Sequence, residues 1–193
     1  LVPWAVAGVA LLALVLAVVL PRAGRGAREA PFAGPAPAPS AAAAPDISSM
    51  TPRERADRLF NRVMTAVGNG DTAQAAQFLP MALQAHQLVP DLDSDGRYHY
   101  GVLLLVAGDG PGARAQADSI LARDSTHLFG LFTAAQAARG MGEREEALRL
   151  FRSFLAAYPR EVGRDLPEYQ DHRNAFPAMR EEAERETGTR VQP

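Results

Sequence analysis

The first candidates for chemistry in this chain are its four histidines, one acidic run, and Ser119 and Ser153. His86, His99, His127 and His172 could ligate a metal or carry protons, yet no two stand at a paired ligand spacing, so each reads as a structural or surface residue. Asp91-Leu92-Asp93-Ser94-Asp95-Gly96 copies the opening of a calcium-binding EF-hand loop. That loop needs a bidentate acid at its twelfth position, which here is Val102. Asp and Ser are also ordinary helix N-caps, so the run reads first as cap and turn, with weak calcium binding by Asp91, Asp93 and Asp95 as the alternative. Ser119 and Ser153 lie in helical patterns with no nucleophile elbow. The glycines at 108–112 and 140–142 follow helices rather than strands, which makes them turns and not phosphate loops. The expectation is a protein that is not an enzyme, with no cofactor and no metal.

Composition narrows the classes further. Cys is absent, which removes disulfides, thiolate metal sites and thiol nucleophiles. Lys is absent as well, so all 20 basic residues are Arg. The net charge is −2; residues 21–50 contribute +1, leaving about −3 on the rest. An acidic folded part without a basic stripe points away from nucleic acid.

The elements that would carry such residues are unevenly distributed. Residues 1–20, LVPWAVAGVALLALVLAVVL, hold no charge. Twenty helical residues span roughly 30 Å, the thickness of a hydrocarbon core. Trp4 stands near one end as an interfacial anchor, and Arg22 and Arg25 mark the other. A cleaved signal peptide is the competing reading, but its apolar region is shorter, about 7–15 residues. The segment is therefore expected to be a transmembrane helix in contact with the lipid bilayer. Residues 21–50 follow as a Pro/Ala-rich tether, extended and semi-rigid, with little to bury. By the positive-inside rule the arginines after the helix put the folded part in the cytoplasm. A long tether behind an N-terminal anchor is similar to many periplasmic proteins, and the reading adopted is a single-pass bacterial-type inner-membrane protein with its folded part in the periplasm.

Residues 51–159 carry apolar residues at helical period, broken by Gly. Thr51-Pro52-Arg53-Glu54 has the hydroxyl, the Pro and the Glu of a capping box. A phrase then recurs: Gly70-Asp71 before Ala75, Gly108-Asp109 before Ala113, Gly142-Glu143 before Ala147, each Gly five residues ahead of its Ala. The second and third Ala stand 34 residues apart and the first two 38. A period of 34 is that of a helix–turn–helix repeat.

On these residues the chain resembles the tetratricopeptide repeat family. Ala147, Phe151 and Pro159 match the small, aromatic and terminating positions of its motif. The second unit keeps Gly101, Gly108 and Ala113, with Ser125 in place of Pro, and the first keeps Gly70, Ala75 and Ala82. The motif's Trp becomes Leu59, Arg97 and Leu131, and its Tyr becomes Ala66, Leu104 and Ala138. The resemblance implies an all-α fold of about three helical hairpins over 51–159. Residues 160–193 form a C-terminal cap and tail, with short helices over 166–187 and Pro177 opening the last.

The resemblance further implies a concave groove lined by the first helix of each unit. By position that gives Phe60 and Met64, then Tyr98 and Val102, then Phe129, Phe132, Gln136 and Arg139, as a site for a protein or peptide partner. The same residues could instead belong to the core or pack beneath the C-terminal helix. The function implied is a non-catalytic, membrane-anchored scaffold or subunit that binds and stabilises a larger membrane protein complex through anchor and tether, such as an electron-transfer or photosynthetic one. The alternative is a transient periplasmic assembly factor, similar to those of c-type cytochrome maturation.

Overall fold

A computed structural model describes residues 50–189. The expected membrane helix at 1–20, the tether up to residue 49 and the last four residues lie outside the described residues. Among the described residues the fold is all-α, and no helix is long and apolar enough to cross a membrane. Six helices come first: α1 Pro52–Gly68, α2 Thr72–Gln87, α3 Ser94–Val106, α4 Gly110–Leu121, α5 Leu128–Gly140 and α6 Arg144–Glu161. A short α7, Pro167–Asp171, a 3-10 turn at Arg173–Ala175 and α8, Phe176–Thr187, complete the chain.

Local chemistry explains the helix starts. Thr51 Oγ1 accepts from the Glu54 N–H at 3.2 Å, while the Thr51 N–H donates to Glu54 Oε2 at 2.8 Å, closing the capping box. Asp71 and Asp109 cap α2 and α4 by accepting from Gln74 N–H and Gly112 N–H at 2.9 Å each.

The recurring Gly phrase is a recurring turn. Gly70, Gly108 and Gly142 take φ of +71°, +77° and +78°, the left-handed region where a Cβ is strained. The residue after each Gly donates back to a carbonyl five positions earlier: Asp71 to Ala66 at 2.9 Å, Asp109 to Leu104 at 2.8 Å, Glu143 to Ala138 at 2.9 Å. These are three Schellman caps, each turning one helix into its antiparallel neighbour. The alanine that follows each phrase, Ala75, Ala113 or Ala147, is buried. Helices α1/α2, α3/α4 and α5/α6 pack as three hairpins, and α5 also packs along α4 and α3.

Small residues set the spacing of the stack. A Cβ at Gly101 would lie 2.9 Å from Thr133 Cγ2, and one at Gly130 2.8 Å from Leu121 Cδ2, both closer than van der Waals contact. Helix α5 is buried without interruption from Leu128 to Ala138, so no face of that stretch meets water. One surface is covered by α4, another by α6, and a third by the C-terminal segment. Pro159, expected to terminate a helix, instead lies inside α6, which runs on to Glu161. Its missing N–H falls in the last turn, and the Val162 N–H still reaches the Tyr158 carbonyl at 3.0 Å.

Candidate functional site

Helices α1, α3 and α5 are the first members of their hairpins and stand side by side, joined by stacked rings. Phe60 of α1 lies 3.9 Å from the His99 ring of α3, and Tyr98 of α3 lies 4.2 Å from Phe129 of α5. The chain then returns across this face. Tyr169 of α7, His172 and Phe176 all pack against Phe129, with centroid separations of 5.3, 5.4 and 5.5 Å. Tyr169 Oη accepts the N–H of Leu128 at 2.8 Å, capping α5 from outside because His127 gives it no side-chain cap.

The crossing brings three of the four histidines together. The absence of a paired ligand spacing hides this, because His86, His99 and His172 are separated by up to 86 residues yet share one neighbourhood. His99 Nε2 lies 3.0 Å from His172 Nε2, and His172 Nε2 lies 2.9 Å from Asp95 Oδ1. Asp95 Oδ1 is 3.5 Å from His99 Nε2, closing a triangle. On its other side His99 Nδ1 meets Asp57 Oδ1 at 3.3 Å. A sequence signal for half of this existed: Asp95 and His99 are four residues apart on α3, hence on one face.

Arg53 organises the acids. Its guanidinium holds Asp57 Oδ2 at 2.8 Å, Asp93 Oδ1 at 2.7 Å and Asp95 Oδ2 at 2.6 Å. Burial acts to raise the Asp57 carboxyl, but hydrogen bonds from His99 and Arg53 outweigh it and hold Asp57 below the usual carboxylate range. Burial likewise opposes Asp95, and the His172 hydrogen bond with the charges nearby holds it low. Burial lowers Arg53, and its bonds to Asp93 and Asp57 overcome that to raise it. With neutral imidazoles, three carboxylates face one guanidinium. Deeper in, His86 is 1% exposed; its Nδ1 pairs with the Ala82 carbonyl at 2.9 Å, and its Nε2 has no partner. Burial lowers its pKa and favours the neutral ring.

The run read as cap and turn is built as one. Asp93 caps α3, accepting from the Gly96 N–H at 2.8 Å, and Ser94 is already helical. Asp93 and Asp95 face Arg53, while Asp91 stands apart at φ +51°.

The eight expected groove residues divide. Phe60, Tyr98, Phe129, Phe132 and Gln136 are buried. Phe129 lies under the C-terminal segment, Phe132 packs 5.4 Å from Phe154 of α6, and Gln136 Nε2 donates to Glu182 Oε1 of α8 at 2.8 Å. Arg139 is bound to Glu182 and Glu186 of α8 at 2.9 and 2.7 Å. The α5 part of that face is thus occupied by the chain's own C-terminal helix. Met64 and Val102 remain half-exposed, both against the cluster of Phe60, Val63, Ala82 and Leu103.

Comparison of the chain with protein families, curated proteins and solved structures finds no match.

Proposed function

We propose that this protein is a non-catalytic scaffold of the tetratricopeptide-repeat type, anchored by residues 1–20 and holding a protein partner within a larger membrane complex. What supports the reading is the stack of three hairpins, each closed by a matching Schellman turn, with α1, α3 and α5 side by side. Repeat stacks of this kind bury their core between neighbours and leave long surfaces for protein contacts. The C-terminal segment covers the α5 end, which leaves the α1–α3 end around Met64 and Val102 for the partner. Half-buried apolar side chains at the mouth of an array are suitable anchors for a helix or peptide.

The test is gentle detergent extraction of the full chain from its native membrane, with the co-purifying proteins weighed against it. A scaffold subunit brings its complex along near one-to-one. Extraction as a monomer without a partner under every mild condition would end the proposal.

A further inference from the structure

We propose that Asp95, His99 and His172 form a binding site for one divalent zinc-type metal ion, which pins the C-terminal segment to α3. The three facing atoms are Asp95 Oδ1, His99 Nε2 and His172 Nε2, separated by 2.9, 3.0 and 3.5 Å. Zinc bound tetrahedrally to nitrogen and oxygen at about 2.0–2.1 Å places its ligand atoms roughly 3.3–3.4 Å apart. The observed separations straddle that edge, two lying up to about 0.5 Å inside it and one up to about 0.2 Å outside. Two imidazole nitrogens are borderline donors that suit zinc and its transition-metal neighbours over magnesium or calcium, and one hard carboxylate oxygen beside them is compatible with that choice.

The surroundings prepare these donors. Asp57 Oδ1 sits on His99 Nδ1, which fixes the tautomer that leaves a lone pair on Nε2, the carboxylate–histidine pairing common behind metal ligands. Arg53 takes the other Asp95 oxygen at 2.6 Å, so Oδ1 alone is left for the ion. Asp57, Asp93 and Asp95 against Arg53 sum to two net negative charges with the imidazoles neutral, which a dication balances. His172 Nε2 lies within hydrogen-bond distance of both His99 Nε2 and Asp95 Oδ1, and a metal ion would satisfy a lone pair on each of the three atoms. Phe60, Tyr98 and Phe129 wall the site, while His172, with 22% of its side chain exposed, gives the ion a way in and water a fourth position. A second grouping, Asp57, His86 and His99, would draw on the same histidine. The Asp95 set is favoured because its three atoms already converge.

The experiment uses the full chain in detergent, purified without a histidine tag, and titrated with Co2+ as a spectroscopic probe and then Zn2+. Expected is one Co2+ per chain with the visible ligand-field absorption of a four- or five-coordinate ion, displaced by Zn2+. His172→Gln, at a partly exposed position, is expected to abolish the signal while its circular dichroism matches the parent. Asp57→Asn weakens affinity about 10- to 100-fold, as loss of an outer-shell partner does. Failure of the parent chain to take up one equivalent of Co2+ overturns the proposal, and so does unchanged uptake by folded His172→Gln.

Discussion

Tyr169→Phe isolates a single hydrogen bond on which the closure of the C-terminal segment depends. The Tyr169 side chain is buried, and its ring packs edge-on against His127, Phe129 and Phe176 at 4.9, 5.3 and 5.1 Å. Phenylalanine keeps each of those contacts. What it removes is the hydroxyl that accepts the Leu128 N–H at 2.8 Å. Leu128 is fully buried at the start of α5, and the donor has no other acceptor within the helix. Leaving such a group unpaired costs about 1–3 kcal/mol. For a folded unit of this size that is a fall in melting temperature of roughly 3–10 °C. The control is Tyr100→Phe, which loses an exposed bond from Gln87 at 3.1 Å and should stay within about 0.5 kcal/mol of the parent. Thermal and urea unfolding followed by circular dichroism read both variants. A Tyr169→Phe protein as stable as Tyr100→Phe would refute the external cap.

Three further outcomes follow from packing and charge. Gly101→Val should cost about 1–3 kcal/mol, because its Cβ would meet Thr133 Cγ2 at 2.9 Å. Gly140→Ala, whose Cβ meets nothing within 4 Å, should gain about 0.5–1 kcal/mol in the same unfolding assay; equal signs for the two would undermine the close-approach argument. Burial acts to raise the Asp124 carboxyl, but Arg164 and the Thr126 N–H and hydroxyl outweigh it and hold the group at about 2, below its ordinary 3.8. Because the folded value is the lower one, Asp124 stabilises the fold above pH 3.8, and that contribution fades as pH falls toward 2. Melts of Asp124→Asn should therefore lie below the parent at pH 7 and converge with it near pH 2; a constant gap would contradict the linkage.

The elements were legible where the signal is local. A capping box, three Gly phrases and a helical apolar period depend on residues within one or two turns, and Thr51, Gly70, Gly108 and Gly142 act where the sequence places them. Pro159 does not end α6 where its type predicts, because a proline in a final turn removes a bond that a fraying end can lose. The face was harder. An aromatic such as Phe129 is equally suited to a groove or a core, and only the return of residues 166–176 decides between them. The histidine cluster was hidden for the same reason. His172 reaches Asp95 across 77 positions, a distance set by tertiary packing and carried by no spacing rule. The pair Asp95 and His99 and the pair Arg53 and Asp57, each four apart on a helix, were the visible halves.

Partner binding at the α1–α3 end of the array, as proposed, rests on Met64 and Val102. The decisive measurement is the amount of partner retained per chain when Met64→Glu and Val102→Glu are extracted beside the parent in mild detergent. Both side chains are half-exposed and border the cluster around Phe60 and Leu103, so each variant should keep its helical spectrum. Near one-to-one retention is expected for the parent and a loss of about tenfold or more in the folded variants, the size of effect expected for a contact worth above about 1.4 kcal/mol. Undiminished retention in both folded variants would contradict it.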